Sequence, residues 1–127
     1  MPKLDQRLSV VANHICSDTH ADIGSDHGHL LVSLLTSGRI RYGIAIENKR
    51  APFENSRRAL ADYHASVRLA DGLAGLDPGE ADSLSLCGMG GHRVVRILSQ
   101  FPDRIPDRLI VQANDHVGEV RRWGLLS

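Results

Sequence analysis

The sequence predicts an α/β protein: an open, mostly parallel sheet with helices on both faces. Three observations predict it. Ala21-Asp22-Ile23-Gly24-Ser25-Asp26-His27-Gly28 runs from a short apolar strand into a polar, glycine-bearing turn, and His29-Leu30-Leu31-Val32-Ser33-Leu34-Leu35 behind it reads as a helix. Tyr42-Gly43-Ile44-Ala45-Ile46 is almost continuously apolar, as strands covered on both faces are. Strands and helices then alternate along the chain, which means βαβ units.

Leu4, Leu8, Val11, Ala12 and Ile15 recur at helical spacing, so a first amphipathic helix is expected over 4–16. Ser17 to His20 is a turn into a first strand over 20–23. A helix over 27–37 stops at Gly38, a usual residue just past a helix end. The second strand, 42–46, ends in Glu47. Pro52 opens the next helix, a favoured use of proline, and this helix reaches about His64. Ser66 to Ala70 is a third strand, followed by Asp71-Gly72. Residues 73–81, with Pro78 and Gly79, form a loop. Ser83 to Cys87 is a fourth strand, ending in Gly88-Met89-Gly90-Gly91. Val94, Val95, Ile97 and Leu98 mark a helix, Arg108 to Ala113 a fifth strand, and 117–123 a last helical piece.

The 127 residues read as one domain, 1–127, with 42% hydrophobic and 24% charged residues. A formal net charge of +0 excludes a chain that binds nucleic acid through bulk charge. Lys3 and Lys49 are the only lysines. Arg93, Arg96, Arg121 and Arg122 read as a solvated face, and would track an RNA backbone if they cluster at the crevice rim. Cys16 and Cys87 form no CxxC pattern and read as reduced thiols in a cytoplasmic protein. The start turns polar at once, and no apolar run approaches the ~20 residues of a membrane span.

The polar and glycine residues follow the strands. In open α/β sheets the ligand crevice lies outside the carboxyl ends of the strands. Asp22, Gly24, Asp26, Glu47, Asp71, Gly88 and Asn114 are therefore expected on one edge. Glu47, about 20 residues beyond the glycine turn, is placed to accept hydrogen bonds from ribose hydroxyls. Asp71 is placed to accept one from an adenine amino group. Both NAD and S-adenosylmethionine carry adenosine. A pyrophosphate needs a helix N-terminus free of anions, and Asp26 puts a carboxylate there. A cationic ligand tolerates it, so S-adenosylmethionine is favoured over NAD. His27 and His29 suggest a metal, but residues two apart on a helix do not face each other, and no further ligands have metal-site spacing. No metal is expected.

The segments Arg7-Leu8-Ser9-Val10-Val11-Ala12, Ala21-Asp22-Ile23-Gly24-Ser25-Asp26-His27, Pro52-Phe53-Glu54, Val67-Arg68-Leu69-Ala70-Asp71-Gly72-Leu73 and Gly88-Met89-Gly90-Gly91 stand in one order. In this the chain resembles the bacterial tRNA (adenine(22)-N1)-methyltransferases. The resemblance implies a Rossmann-like class I methyltransferase fold, S-adenosyl-L-methionine as cofactor, and methyl transfer to adenine N1 of tRNA. It assigns cofactor binding to Asp22, Gly24, Ser25, His27, Gly28, Glu47, Asn48, Asp71, Gly72, Gly88, Met89 and Gly90. It assigns catalysis to Asp26, His29 and Asn114. The sequence departs from the family at Gly28, usually alanine, at His29, usually tyrosine, at Leu31, usually proline, and at Ala113, usually proline. The family continues through two more strands and a helical C-terminal domain. On this reading the sheet lacks its final strands, leaving the fifth strand as an open edge that self-associates. Two other readings stand beside it: a remnant that binds S-adenosylmethionine without catalysis, and an NAD-dependent oxidoreductase.

Overall fold

The computed structural model describes residues 6–25 and 27–113. Asp26, Asn114 and the helical piece expected over 117–123 lie outside the described residues. The order is α1 (Gln6–Asn13), β1 (Thr19–Ile23), α2 (His29–Thr36), β2 (Tyr42–Glu47), α3 (Arg50–Leu60), β3 (Ala65–Leu69), β4 (Ser83–Met89), α4 (Gly91–Gln100) and β5 (Arg108–Ala113). The five strands form one parallel sheet in the order β3-β2-β1-β4-β5. Successive strands build outward from β1 through β2 to β3, and then the chain returns to lay β4 on the other side of β1. The order therefore reverses between β1 and β4, the switch point where such sheets open a crevice.

Alternation along each strand sorts side chains onto two faces. Ala21, Ile23, Ile44, Ile46, Leu84 and Leu86 pack with Val94, Ile97 and Leu98 of α4 and with Leu73 and Leu76. The opposite face lies under α1, α2 and α3, where Val11, Ile15, Leu30, Leu31, Leu34 and Leu60 surround Ala45. Helices therefore cover both faces, as the apolar strands require.

Helix α1 ends at Asn13 rather than 16 and α3 at Leu60 rather than about His64. Four further differences from the sequence reading follow from packing. Helix α3 starts at Arg50 rather than Pro52. Proline is still in the first turn, where its missing N–H removes no intrahelical bond. The loop after β3 contains a 3-10 turn, Gly72–Gly75. It is held down by Arg68, which donates to Glu80 at 2.7 and 2.6 Å and to the Gly75 carbonyl at 2.7 Å. Strand β4 continues past Cys87 to Met89. Its pairing with β5 shifts register between Cys87 and Met89, so Gly88 is the extra residue of a bulge. His27 lies in the turn ahead of α2, not on the helix. Its ring therefore stacks on that of His29, with centroids 5.3 Å apart, although helical spacing would have kept the two apart.

Candidate functional site

A cleft of about 280 Å³ opens at the carboxyl ends of β1, β4 and β5. Its walls include Asp22, Gly24, Ser25, Gly88 and Gln112, with His27 and His29 at the start of α2 and Leu8 from α1. The crevice expected at the switch point is thus where the sheet order places it.

Asp22 is 4% exposed and accepts a 2.7 Å hydrogen bond from the Ser85 hydroxyl on the neighbouring strand. Burial pushes its carboxyl up to about 7. The Ser85 and Ser25 hydroxyls oppose that rise, and Glu47 adds to it by repulsion. Ser25 Oγ is near enough to favour the charged form of Asp22, yet it is buried with no partner in hydrogen-bond geometry. Glu47, at the end of β2, is also buried, and its Oε2 accepts from Ser56 of α3 at 2.7 Å. Two carboxylates buried this close are costly unless something cationic or hydrogen-bonding meets them.

The glycines divide by what surrounds them. Gly24 has φ +75°, and its N–H donates to the Ile46 carbonyl at 2.9 Å, which locks the turn against β2. A Cβ there would meet Met89 Cε at 3.1 Å. Gly88 has φ +72° with nothing within 4 Å of its absent Cβ, so the bulge presents bare backbone to the cleft. Both positions suit glycine because other residues rarely adopt positive φ. Gly28 and Gly72 also have positive φ, +70° and +58°, and are crowded as well. A Cβ would lie 3.3 Å from Leu60 at Gly28 and 2.6 Å from Gln100 at Gly72.

The remaining predicted residues spread along the same edge. Asn48 follows β2 and is exposed. Met89 is buried in the apolar cluster, and Gly90 immediately precedes α4. Asp71 follows β3, away from the cleft. Its exposed carboxylate is engaged by α4, with Arg96 at 3.4 Å and Gln100 at 3.2 Å. Arg93 is exposed one turn earlier on that helix. Asp26 and Asn114, the other expected members of the edge, are outside the described residues. Among the described residues no cluster of three or more His, Cys, Asp or Glu is placed to hold a metal, and no helix is long and apolar enough to cross a membrane.

Sequence reasoning missed Ser56, Leu8 and Gln112, and above all the serines of β4. A signal for the last existed. Ser83 and Ser85 alternate on a strand read as buried, just as His20 and Asp22 alternate on β1.

A parallel sheet ordered β3-β2-β1-β4-β5, with acids and glycines at its carboxyl edge, defines a Rossmann-like nucleotide-type binding domain. The sequence model of the methyltransferase-domain family matches residues 4–126, and the chain belongs to that family. The tRNA (adenine(22)-N(1))-methyltransferase of Bacillus subtilis (strain 168) is 37% identical over 128 residues, covering 95% of this chain and 54% of the relative. The chain thus spans about half the length of the curated relative it matches. The crystal structure of the B. subtilis m1A22 tRNA methyltransferase superposes with a TM-score of 0.90 at 35% identity, over 98% of this chain and 56% of that one. A Streptococcus pneumoniae protein solved in complex with S-adenosyl-L-methionine superposes with a TM-score of 0.88 at 29% identity, over 95% and 60% of the two chains. The fold is the Rossmann-like methyltransferase fold that the sequence predicted.

Proposed function

We propose that residues 1–127 form the S-adenosyl-L-methionine-binding domain of a methyltransferase that acts on adenine N1 in tRNA. The observation that carries this reading is the acidic carboxyl edge at the switch point, where Asp22 and Glu47 are both buried within electrostatic reach of each other. The B. subtilis relative, a tRNA (adenine(22)-N(1))-methyltransferase, and the S-adenosyl-L-methionine complex of the S. pneumoniae protein support it.

The residues present fit that cofactor. The Ser25 hydroxyl, buried at the cleft with no partner in hydrogen-bond geometry, is left for one polar group of the ligand. Two buried acids suit a ligand with a cationic amino-acid end and a ribose, whereas pyrophosphate would meet like charge. Glu47 is assigned to the ribose hydroxyls, with Ser56 holding its other side, and Asn48 lies beside it. Asp71 is assigned to the adenine amino group, with Gly72 in the same turn. Taking that group requires Asp71 to relax its hold on Arg96 and Gln100. Asp22, Ser25 and His27, with the backbone of Gly24 and Gly28, are assigned to the amino-acid end. Gly88, Met89 and Gly90 form the floor beneath the reacting atoms.

The cofactor supplies an electrophilic methyl group. The chain's own work is to hold adenine N1 in line with it, a gain from proximity and orientation. Gly88 leaves the room, and His29, on the cleft wall, is assigned to contact the base with Asn114. Asp26 is assigned to stabilise the positive charge that develops on the adenine and to take its proton. An N1 engaged in a base pair is reached by extruding the nucleotide. Such a role would place the protein in the cytoplasm. We extend the proposal to β5, which pairs only with β4 among the described residues, as an edge that self-associates.

The test is methyl transfer from S-adenosyl-L-methionine to total tRNA, with the product located by nuclease mapping. It uses the 127-residue protein and a chain extended with the rest of the family's length. N1-methyladenine formed by the extended chain supports the reading. Cofactor binding with no transfer by either chain would support a non-catalytic remnant. Binding of NADH in place of the adenosyl ligand would support the oxidoreductase.

A further inference from the structure

A continuous line of polar groups runs along β1 and β4 and ends at Asp22, and the proposed chemistry uses none of its other members. Ser17 Oγ is 2.7 Å from Ser83 Oγ. Ser83 Oγ is 2.6 Å from His20 Nδ1, and His20 Nε2 is 2.7 Å from Ser85 Oγ. Ser85 then donates to Asp22 Oδ1 at 2.7 Å. Parallel register produces this line, because His20 sits opposite Ser83 and Asp22 opposite Ser85. His20, Ser83 and Ser85 are all buried. The line starts at half-buried Ser17, at the amino ends of the strands, and finishes in the cleft at their carboxyl ends.

Such a line can be ordered in only two ways. Each hydroxyl has one hydrogen and a neutral imidazole has one N–H. With Asp22 ionised, Ser85 gives its hydrogen to the carboxylate and accepts from His20 Nε2–H. Nδ1 then accepts from Ser83, and Ser83 accepts from Ser17. With Asp22 protonated, the acid donates to Ser85, Ser85 donates to Nε2, Nδ1–H donates to Ser83, and Ser83 donates to Ser17. The ring is neutral in both states, and burial favours this by pulling its pKa down to about 4.

We propose that Ser17, Ser83, His20 and Ser85 are a proton relay that lets Asp22 exchange its proton with solvent at the far end of the sheet while a ligand fills the cleft. The transfer balances atom by atom. Ser17 receives a proton from a solvent acid and passes its own to Ser83, Ser83 passes its own to Nδ1, Nε2–H goes to Ser85, and the Ser85 proton goes to Asp22. The line ends in its second ordering with no charge left on it. Seating a cationic group against Asp22 drives the reverse movement, and one proton leaves at Ser17. His20 is thus a positioning residue, acting on the ligand through Ser85 and Asp22. The ligand part rests on the cofactor reading above; the relay itself does not.

Among the described residues the charged surroundings are few. Glu47 of β2 acts on Asp22, and His27 and His29 of the turn and α2, with Cys87 of β4, share its cleft. β5 brings neutral Gln112 and α1 brings Leu8. Burial alone moves His20. At the outer end stand exposed Asp18, paired with Arg41 at 3.5 Å, with Asp82 bonded to Thr19 N–H and Arg108 bonded to the Cys16 carbonyl.

Long-range proton–nitrogen NMR of the histidine-labelled 127-residue protein reads which nitrogen of His20 carries the proton. Carboxyl carbon shifts of labelled aspartate read Asp22 in the same samples, from pH 5.5 to 8.5. The expected result is Nε2–H above the Asp22 midpoint and Nδ1–H below it, with the ring neutral throughout and one shared midpoint. Ser85→Ala should abolish the switch. Asp22→Asn should hold one tautomer at every pH, and serves if the serine variant does not fold. At pH 6, saturating S-adenosylhomocysteine should return the wild-type ring to Nε2–H. A single wild-type tautomer across the Asp22 titration, an imidazolium in this range, or a switch that survives in Asp22→Asn would overturn the relay. A pH switch in a protein that binds no S-adenosylhomocysteine would uphold the relay and sink the cofactor reading.

Discussion

Beneath α4, β1 and β4 present Ala21, Ile23, Leu84 and Leu86 to an apolar layer. Beneath α1, α2 and α3 the same two strands present His20, Asp22, Ser83 and Ser85, just as deeply buried. The first face needs nothing beyond close packing. The second needs every polar atom to find a partner, and it has arranged hydrogen bonds of 2.6 to 2.7 Å to do so. Replacing such a network with apolar residues is often neutral or stabilising. Its presence on one face of a buried sheet therefore points to the ligand edge that the network reaches.

The division makes neighbouring residues behave differently. Leu86 is fully buried on the apolar face. Leu86→Ala should lower stability by roughly 2–5 kcal/mol, measured by urea unfolding, with ligand affinity retained in whatever remains folded. Loss of affinity without loss of stability would mean that the apolar face serves the ligand as well. Asp26→Asn removes a charge with little change in size. In the family-length chain it should slow methyl transfer roughly 100-fold or more while changing cofactor binding far less. Equal losses of both would make Asp26 a binding or folding residue.

The pH dependence sharpens the same contrast. Asp22 has its pKa raised to about 7, so its contribution to stability is present in acid and is lost as pH rises through 7. His20 is lowered to about 4 from 6.5, so its contribution is present above 6.5 and is lost as pH falls towards 4. The two oppose each other at acid pH, and only Asp22 still titrates above 6.5. Thermal unfolding should therefore fall by a few degrees from pH 6.5 to 8, and Asp22→Asn should flatten that slope. An unchanged slope would remove Asp22 as its source. The smallest effect belongs to β5. Sedimentation at rising concentration should show weak self-association, reduced by Val111→Lys; strictly monomeric behaviour would count against the edge.

The apolar face was readable from the sequence because runs such as Ile44-Ala45-Ile46 and Leu84-x-Leu86 declare burial locally. So was the edge, since acids and glycines that follow strands collect there in any parallel sheet. The relay was not. Ser83 and Ser85 gain meaning only from the register that sets them against His20 and Asp22, sixty-odd residues away. The hold of Arg96 and Gln100 on Asp71 and the bulge at Gly88 are likewise products of packing between distant segments. The stack of His27 on His29 was misread because one residue decides whether a histidine stands on a helix or ahead of it.

If the buried acids of the polar face bind an adenosyl ligand, removing one of them must weaken that ligand's hold. Calorimetric titration of S-adenosylhomocysteine into the 127-residue protein and into Glu47→Ala tests it most directly, with NADH as control. The expected result is saturable binding of S-adenosylhomocysteine to the wild type and none of NADH. The variant should lose roughly 1.5–3 kcal/mol, the scale of hydrogen bonds to a charged group. Unchanged affinity in a folded Glu47→Ala protein, or tighter binding of NADH, would contradict it.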